Sequence, residues 1–342
     1  MKVFVSITRF TSSRSARDLR NLVKRIEDSG ADGVNMFDHV FHSFHAPRQY
    51  AEWRLSDPLT VLAAVAGISD RLELMTGILN SDWFNPGLLF RQYSQLAVLA
   101  SGDRVTAGIG AGWSTEEFKA LGIDMDPLSK RLDRLEETLQ VATQLYNNGF
   151  ANFEGEYRKA VNLPLAPVPP LGTKPKLAIG GGSDRIMQMA GRYCDIVDIH
   201  GTPKRGAMRG KGTEEKHYND VRRRAMTTID DVAERLGVAR QAASEVGRPE
   251  RDITASAFVL RWVDGSKKNI DRAQEDLCEH WGHIPSQSLL DNPYLLFGSP
   301  AHIADTLKER EERGGMSRII IHDELGINET LDFVERLMPH MK

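Results

Sequence analysis

The sequence predicts a single (β/α)8 barrel, and three observations predict it. Short apolar runs alternate with segments of helical period along the 342 residues, the rhythm of a parallel sheet covered by helices. Eight such runs follow one another, each with a helix behind it. The length exceeds that of a typical domain but suits an α/β barrel in one piece over 1–342. An open doubly wound sheet is the alternative that the same rhythm allows.

The first strand is expected over Val3–Ile7. The first helix runs from Arg17 to Ser29, because Leu19, Leu22, Val23 and Ile26 recur at the spacing of one face. Gly30 stands where a left-handed C-terminal cap belongs. Strand two is Gly33–Phe37. Asp57-Pro58 then opens a helix, Asp as N-cap and Pro at the first helical position, with Leu59, Leu62, Ala63 and Ala66 on its apolar face. Strand three is Leu72–Ile78, followed by a helix near Leu88–Ala100, and strand four is Arg104–Ile109. An excursion near 111–175 holds a helix over Leu128–Tyr146, with Leu132, Leu135, Leu139 and Ala142 on one side. The Pro-rich segment Phe150–Pro170 is expected to be irregular.

Strand five is Lys176–Ile179, and Ser183 caps the next helix, which carries Ile186, Met187 and Ala190. Strand six is Ile196–Ile199. A second excursion, near 201–228, is polar and basic; a helix near Ile229–Val246 and strand seven, Ile253–Leu260, come after it. A third excursion lies near 262–297. Ser299-Pro300 repeats the cap logic of Asp57-Pro58, strand eight is Arg318–His322, and the last helix is Glu329–Met338.

Composition narrows the function classes. With 41% hydrophobic and 27% charged residues the chain is ordinary globular protein. A net charge of −3 gives no global field for nucleic acid, and Arg222-Arg223-Arg224 read first as solvated surface. Cys194 and Cys278 are the only cysteines, which is no disulfide framework and fits a reducing compartment. The N-terminus MKVFVSITRF lacks the parts of a signal peptide, and no apolar run approaches the ~20 residues of a membrane span. The expectation is a cytoplasmic protein acting on a small molecule, with neither nucleic acid nor membrane as partner and with a homodimer left open.

Barrel chemistry sits at the C-terminal ends of the strands. That rule selects Asp38 and His39 after strand two; Thr76, Gly77 and Asn80 around strand three; Gly110, Ala111, Gly112 and Trp113 after strand four. It further selects Gly180, Gly181, Gly182 and Ser183 after strand five, His200 after strand six, and His322 and Asp323 after strand eight. Strand, three glycines, Ser, helix is the pattern of a phosphate cradle: the backbone closes on the anion and the helix start offers free N–H groups. The same glycines also suit a tight turn needing positive φ. Asp38-His39 reads as an acid/base pair, or as one satisfied histidine near a strand end. His39, His42 and His45 invite a metal reading. Their spacing of three drifts about 60° around a helix at each step, and no His-x-His follows Ile7. No metal is therefore expected. Trp113 either walls a planar ligand or packs beneath a loop.

The stretches ELMTGI, RQYSQLAVLASGDRVTAGIGAGWSTEEFKALGI, RLDRLEETLQVATQLY, NLPLAPVPPLGTKPKLAIGGGSDRIMQMAGRYCDIVDIHG and LLFGSPAHIADTLKEREERGGMSRIIIH, in this order, resemble the luciferase-like monooxygenase superfamily. The pairing of FDH with GIGAGW is similar to its coenzyme F-420-dependent branch. The resemblance implies an oxidoreductase whose strand ends hold F-420, a deazaflavin, or alternatively FMN. It places His39 on the family's active-site histidine with Asp38 beside it. It puts Thr76 and Gly77 at a bulge supporting the ring, where a non-proline cis peptide is common, and Gly180, Gly181 and Gly182 on the turn near its phosphate. The strand-end candidates Gly110, Trp113 and Ser183 are expected to join these in binding the cofactor. Some sugar-phosphate dehydrogenases of the branch carry a glutamate just after strand four; here Ala111-Gly112-Trp113 stand there, so neither that acid nor that substrate is carried over. The reaction expected is hydride transfer between F-420 and a small organic substrate, with a reduced-FMN monooxygenase of the same fold as the rival. A flavin-binding protein without turnover and a metal-dependent barrel hydrolase are the remaining classes. An F-420 tail ending in glutamates would need local positive charge, which Lys204, Arg205, Arg209 and Lys211 could supply.

Overall fold

The computed structural model describes residues 1–8, 15–40, 56–101, 103–170, 173–199, 226–265, 267–280, 289–322 and 326–342, with backbone only for 267 and 278–280. His42, His45, His200, Asp323 and the basic segment 204–224 lie outside the described residues.

One compact unit comprises residues 6–27 and 32–179. Its strands β2 (Gly33–Met36), β3 (Glu73–Thr76), β5 (Val105–Gly110) and β8 (Lys176–Gly181) pair in parallel, each with the next, and the two-residue β4 (Leu79–Asn80) continues β3 along β5. The other unit comprises residues 1–5, 28–31 and 180–342. In it β9 (Ile196–Ile199) pairs with β10 (Thr254–Val259), β10 with β13 (Met316–Ile321), and β13 with β1 (Lys2–Ser6) from Lys2↔Arg318 to Val5↔Ile321. Strands thus pair in chain order, and the last lies beside the first. An open doubly wound sheet keeps its first strand inside and does not pair it with its last. The order is that of a closed (β/α)8 barrel.

Caps and apolar faces explain the helices. In α1 (Ala16–Asp28) the buried residues are Leu19, Leu22, Val23 and Ile26, as the periodicity requires, and Gly30 takes φ +82°. Each such side chain contributes about 1.5–3 kcal/mol on burial. Asp57 accepts from the Thr60 N–H ahead of α2 (Pro58–Ala66). Asn85 does the same work for α3 (Pro86–Leu99), which begins two residues before the expected start. Ser183 accepts from Ile186 N–H at the start of α6 (Asp184–Tyr193). A full capping box of Thr228 and Asp231 starts α7 (Ile229–Glu245). Helix α8 spans Lys267–His280, Ser299 caps α9 (Pro300–Gly314), and α10 covers Ile327–Leu337.

Three expectations are corrected. The region after strand four carries a helix that periodicity did not give, α4 (Thr115–Ala120), ahead of α5 (Leu128–Asn148). Residues 150–164 are not irregular: β6 (Phe150–Glu154) and β7 (Lys159–Pro164) form an antiparallel hairpin. The Glu137 carboxylate from α5 organises its turn, accepting the N–H groups of Glu156, Tyr157 and Arg158 at 2.8, 2.8 and 2.6 Å. Strand three is split, with Gly77 and Ile78 between β3 and β4. The excursion 262–297 holds a short parallel pair, β11 (Arg261–Val263) with β12 (Leu295–Phe297). Among the described residues no helix is long and apolar enough to cross a membrane. Cys194 is free and buried.

Candidate active site

The interruption of strand three shapes the site. Met75 pairs with Thr106 and Leu79 with Ile109, so β3–β4 carries one residue more than β5 over this stretch, a bulge. The Gly77–Ile78 peptide is cis. A Cβ on Gly77 would lie 2.3 Å from Asn35 Oδ1, so any larger residue would have to displace the buried Asn35 side chain. Thr76 repairs the broken ladder with its side chain: its hydroxyl donates to Gly108 O at 2.9 Å and accepts Gly108 N–H at 2.9 Å. The Tyr93 hydroxyl lies 2.6 Å from Thr76 Oγ1 and completes its set. Thr76 is fully buried, so it supports the bulge from within the strand layer. Among the described residues the side-chain amide of Asn35, also fully buried, has no hydrogen-bond partner.

Beyond this bulge the strand ends carry five predicted residues, Asp38, His39, Asn80, Gly110 and Trp113. Asp38 N–H donates to Ile78 O at 3.5 Å, and Asp38 Oδ2 accepts Asn80 N–H at 3.3 Å. Burial raises the Asp38 carboxyl from 3.8 to about 6, against the opposing pull of the Asn80 N–H and of His39; Asp57 and Glu117 add to the rise. His39, 19% exposed, has Phe37 edge-on at 5.5 Å and Trp113 edge-on at 5.4 Å. Trp113 is half exposed. Gly110 ends β5, and its carbonyl accepts from the Ser81 hydroxyl at 3.0 Å.

Glu117, on α4, escaped sequence reading. Its Oε2 is 2.8 Å from His39 Nδ1, and its Oε1 accepts Val40 N–H at 2.7 Å. Only 1% of it is exposed. The available signal was Ser-Thr-Glu-Glu after Trp113, a helix start with a carboxylate at its third position. Arg131, on α5, clamps the loop that carries Trp113: it donates to Ala111 O at 2.8 Å, Gly112 O at 2.5 Å and Asp126 O at 2.9 Å. Arg134 grips both oxygens of the buried Asp82 at 2.8 and 2.6 Å and reaches Asp126 at 2.6 Å. These arginines fix the strand-end loops to α5.

The turn of Gly180, Gly181, Gly182 and Ser183 belongs to the other unit. Gly181 has φ +146°, a region that L side chains rarely adopt, and a Cβ there would meet Ile186 Cγ1 at 3.1 Å. The Ser183 hydroxyl is committed to capping, and Asp184 in the first turn pairs with Arg235. Of the three glycines only Gly181 takes positive φ, which suits a tight turn at that position. His322 follows β13, buried, with Phe258 edge-on at 4.9 Å. Among the described residues no three His, Cys, Asp or Glu gather as a metal site.

Comparison with known proteins yields a consistent set. The luciferase-like monooxygenase family model matches residues 1–317. An F-420-dependent glucose-6-phosphate dehydrogenase of Amycolatopsis mediterranei is 28% identical over 185 residues, 52% of this chain; the chain spans about half (52%) of that relative's length. The pyrimidine monooxygenase RutA of Escherichia coli O81 is 24% identical over 295 residues, covering 84% of this chain and 75% of its own. Among solved structures, an F-420-dependent secondary alcohol dehydrogenase in complex with an F-420–acetone adduct superposes with TM-score 0.73 at 15% identity, covering 100% of this chain and 99% of the other. EDTA monooxygenase from Chelativorans sp. BNC1 gives 0.73 at 17% identity, over 100% and 93%. The structural likeness carries the fold, and with the match over 1–317 it leaves one conclusion: the chain belongs to the luciferase-like monooxygenase family.

Proposed function

We propose that the chain is an oxidoreductase that moves a hydride between bound coenzyme F-420 and a small organic substrate, with His39 taking or giving the accompanying proton. The observation that carries this reading is the His39–Glu117 pair at the strand ends. One imidazole nitrogen is held by a buried carboxylate, and among the described residues the other, Nε2, has no hydrogen bond. Such a ring is a proton-handling group with one face committed and one free.

A deazaflavin, when bound, supplies the hydride chemistry that no side chain can. The residues fit such a group. The Asp38 carboxyl, held on the Asn80 N–H beside His39, is a hydrogen-bonding group that would meet the polar edge of such a ring. The bulge at Gly77, with no room for a Cβ, and the strand end at Gly110 present backbone to a flat ring, with Thr76 holding the bulge and Trp113 beside His39. The resemblance assigns the phosphate to the turn at Gly180, Gly181, Gly182 and Ser183, where α6 begins. The F-420 preference draws on the FDH and GIGAGW motifs and on the relative that is 28% identical. A reduced-FMN monooxygenase is the second reading, favoured by the longer match to the pyrimidine monooxygenase, 84% of this chain.

Fluorescence titration with F-420, FMN and FAD side by side tests the choice. F-420 is expected to bind most tightly; tighter FMN binding promotes the monooxygenase reading. With the preferred cofactor, His39→Ala should lower turnover about 10²–10⁴-fold, the usual worth of general acid–base help, while cofactor affinity holds. Full turnover in that variant refutes the role of His39.

A further inference from the structure

Glu117 is placed against its local habit. It is the third residue of α4, and Ser114, the N-cap, accepts its N–H at 3.4 Å. In a capping box the glutamate at this position reaches back to the N-cap N–H. Here the carboxylate turns instead to the segment after β2, where it takes two donors from consecutive residues: His39 Nδ1 at 2.8 Å and Val40 N–H at 2.7 Å. A carboxylate that is 1% exposed cannot find water in their place. Among the described residues, the groups facing His39 are Asp38 before it, Phe37 and Trp113 on its ring edges, and Glu117 on α4.

We propose that Glu117 is the positioning residue of His39, holding its imidazole in the Nδ1–H tautomer so that Nε2 is the nitrogen presented to substrate. The proposal rests on the reading of His39 as the proton-handling group. An ionised carboxylate only accepts, so a ring nitrogen 2.8 Å from Oε2 carries hydrogen. The neutral ring then offers a lone pair at Nε2, and the charged ring offers Nε2–H. The exchanged proton enters and leaves at one nitrogen, with no ring flip between the two states. Val40 makes the arrangement asymmetric, because its backbone N–H cannot reverse polarity. It demands an oxygen at the Oε1 position whatever stands at 117.

That asymmetry gives a sharp test. In Glu117→Gln the side chain has one oxygen and one NH₂. Val40 N–H claims the oxygen, so the NH₂ faces Nδ1, which must then be the lone-pair nitrogen. The variant is expected to swap His39 to the Nε2–H tautomer without moving the ring. The readout is ¹⁵N NMR of imidazole-labelled protein, at a pH where the ring is neutral and with neither cofactor nor substrate present. Wild type should show a protonated Nδ1 and an unprotonated Nε2, and Glu117→Gln the reverse. Turnover of the variant should fall by up to about 10²–10⁴-fold, the usual worth of general acid–base help, because the wrong nitrogen then faces substrate, with cofactor affinity unchanged. Wild-type protein in the Nε2–H tautomer overturns the proposal without any variant. So does a folded Glu117→Gln variant whose tautomer stays as in wild type. Because the tautomer is read without turnover, a chain with the expected tautomer swap but no His39-dependent activity would refute the proposed function and the presentation of Nε2 to substrate, and leave standing only the control of the tautomer by Glu117.

Discussion

The raised carboxyl of Asp38 predicts that this residue destabilises the fold at neutral pH. A tenfold change in proton affinity is worth about 1.4 kcal/mol, so a move from 3.8 to about 6 makes ionisation in the folded chain ~3 kcal/mol less favourable than in the unfolded one. Asp38 is partly covered rather than sealed, and screening brings the expected figure nearer ~2 kcal/mol. The folded state binds the proton more tightly. Below 3.8 both states are protonated and the cost is absent; it grows as pH rises from 3.8 to about 6 and is fully present above. Asp38→Asn is neutral throughout and keeps an oxygen for the Asn80 N–H. The variant should therefore be ~2 kcal/mol more stable than wild type at about pH 7.5 and converge on it toward about pH 4. Urea unfolding followed by circular dichroism across that range, both proteins side by side, measures the gap. A gap independent of pH, or a variant less stable than wild type at neutral pH, would refute the reasoning.

Three further outcomes follow from the geometry. Gly181→Val should cost about 1–3 kcal/mol, because φ +146° is strained for any side chain, and should weaken cofactor binding in a barrel that stays folded; unchanged affinity in a folded variant would show that the glycines serve only the turn. Arg131→Met leaves the carbonyls of Ala111, Gly112 and Asp126 without their charged donor, so stability should fall by roughly 3 kcal/mol and the emission of Trp113 should shift; equal unfolding midpoints would contradict the clamp. Chelators should leave turnover unchanged, since Nδ1 of His39 is already taken by Glu117; stoichiometric zinc, with activity lost to chelator and restored by metal, would refute this.

What the sequence disclosed and what it hid have physical reasons. Asp57-Pro58, Ser183 and Ser299-Pro300 were readable because a cap is a bond between residues three apart. Asp38, His39 and Trp113 were readable as strand-end residues because a parallel barrel puts them at one end. Helix α4 is six residues, too short to display a period, and so Glu117 passed unnoticed. Its bond to His39 spans 78 positions, a proximity that only the folded chain creates. The hairpin at 150–164 was obscured by the prolines at 164, 167, 169 and 170, although Gly155 marks its turn. The extra residue at Gly77 and Ile78 is invisible in the run Leu72–Ile78, since a bulge changes pairing and not composition.

Counterions act where water reaches, and Glu117 is 1% exposed. Screening over the ~8–10 Å of moderate ionic strength weakens exposed charge pairs and leaves such a buried one nearly intact. A salt titration thus separates two electrostatic contributions that a mutation would mix. If F-420 affinity erodes with added salt while the His39 tautomer stays fixed, the erosion belongs to charges other than this pair, and the sequence offers Lys204, Arg205, Arg209 and Lys211 as candidates. The proton-handling pair would then work alike in dilute buffer and in concentrated salt, and kcat and cofactor Kd should respond to ionic strength independently.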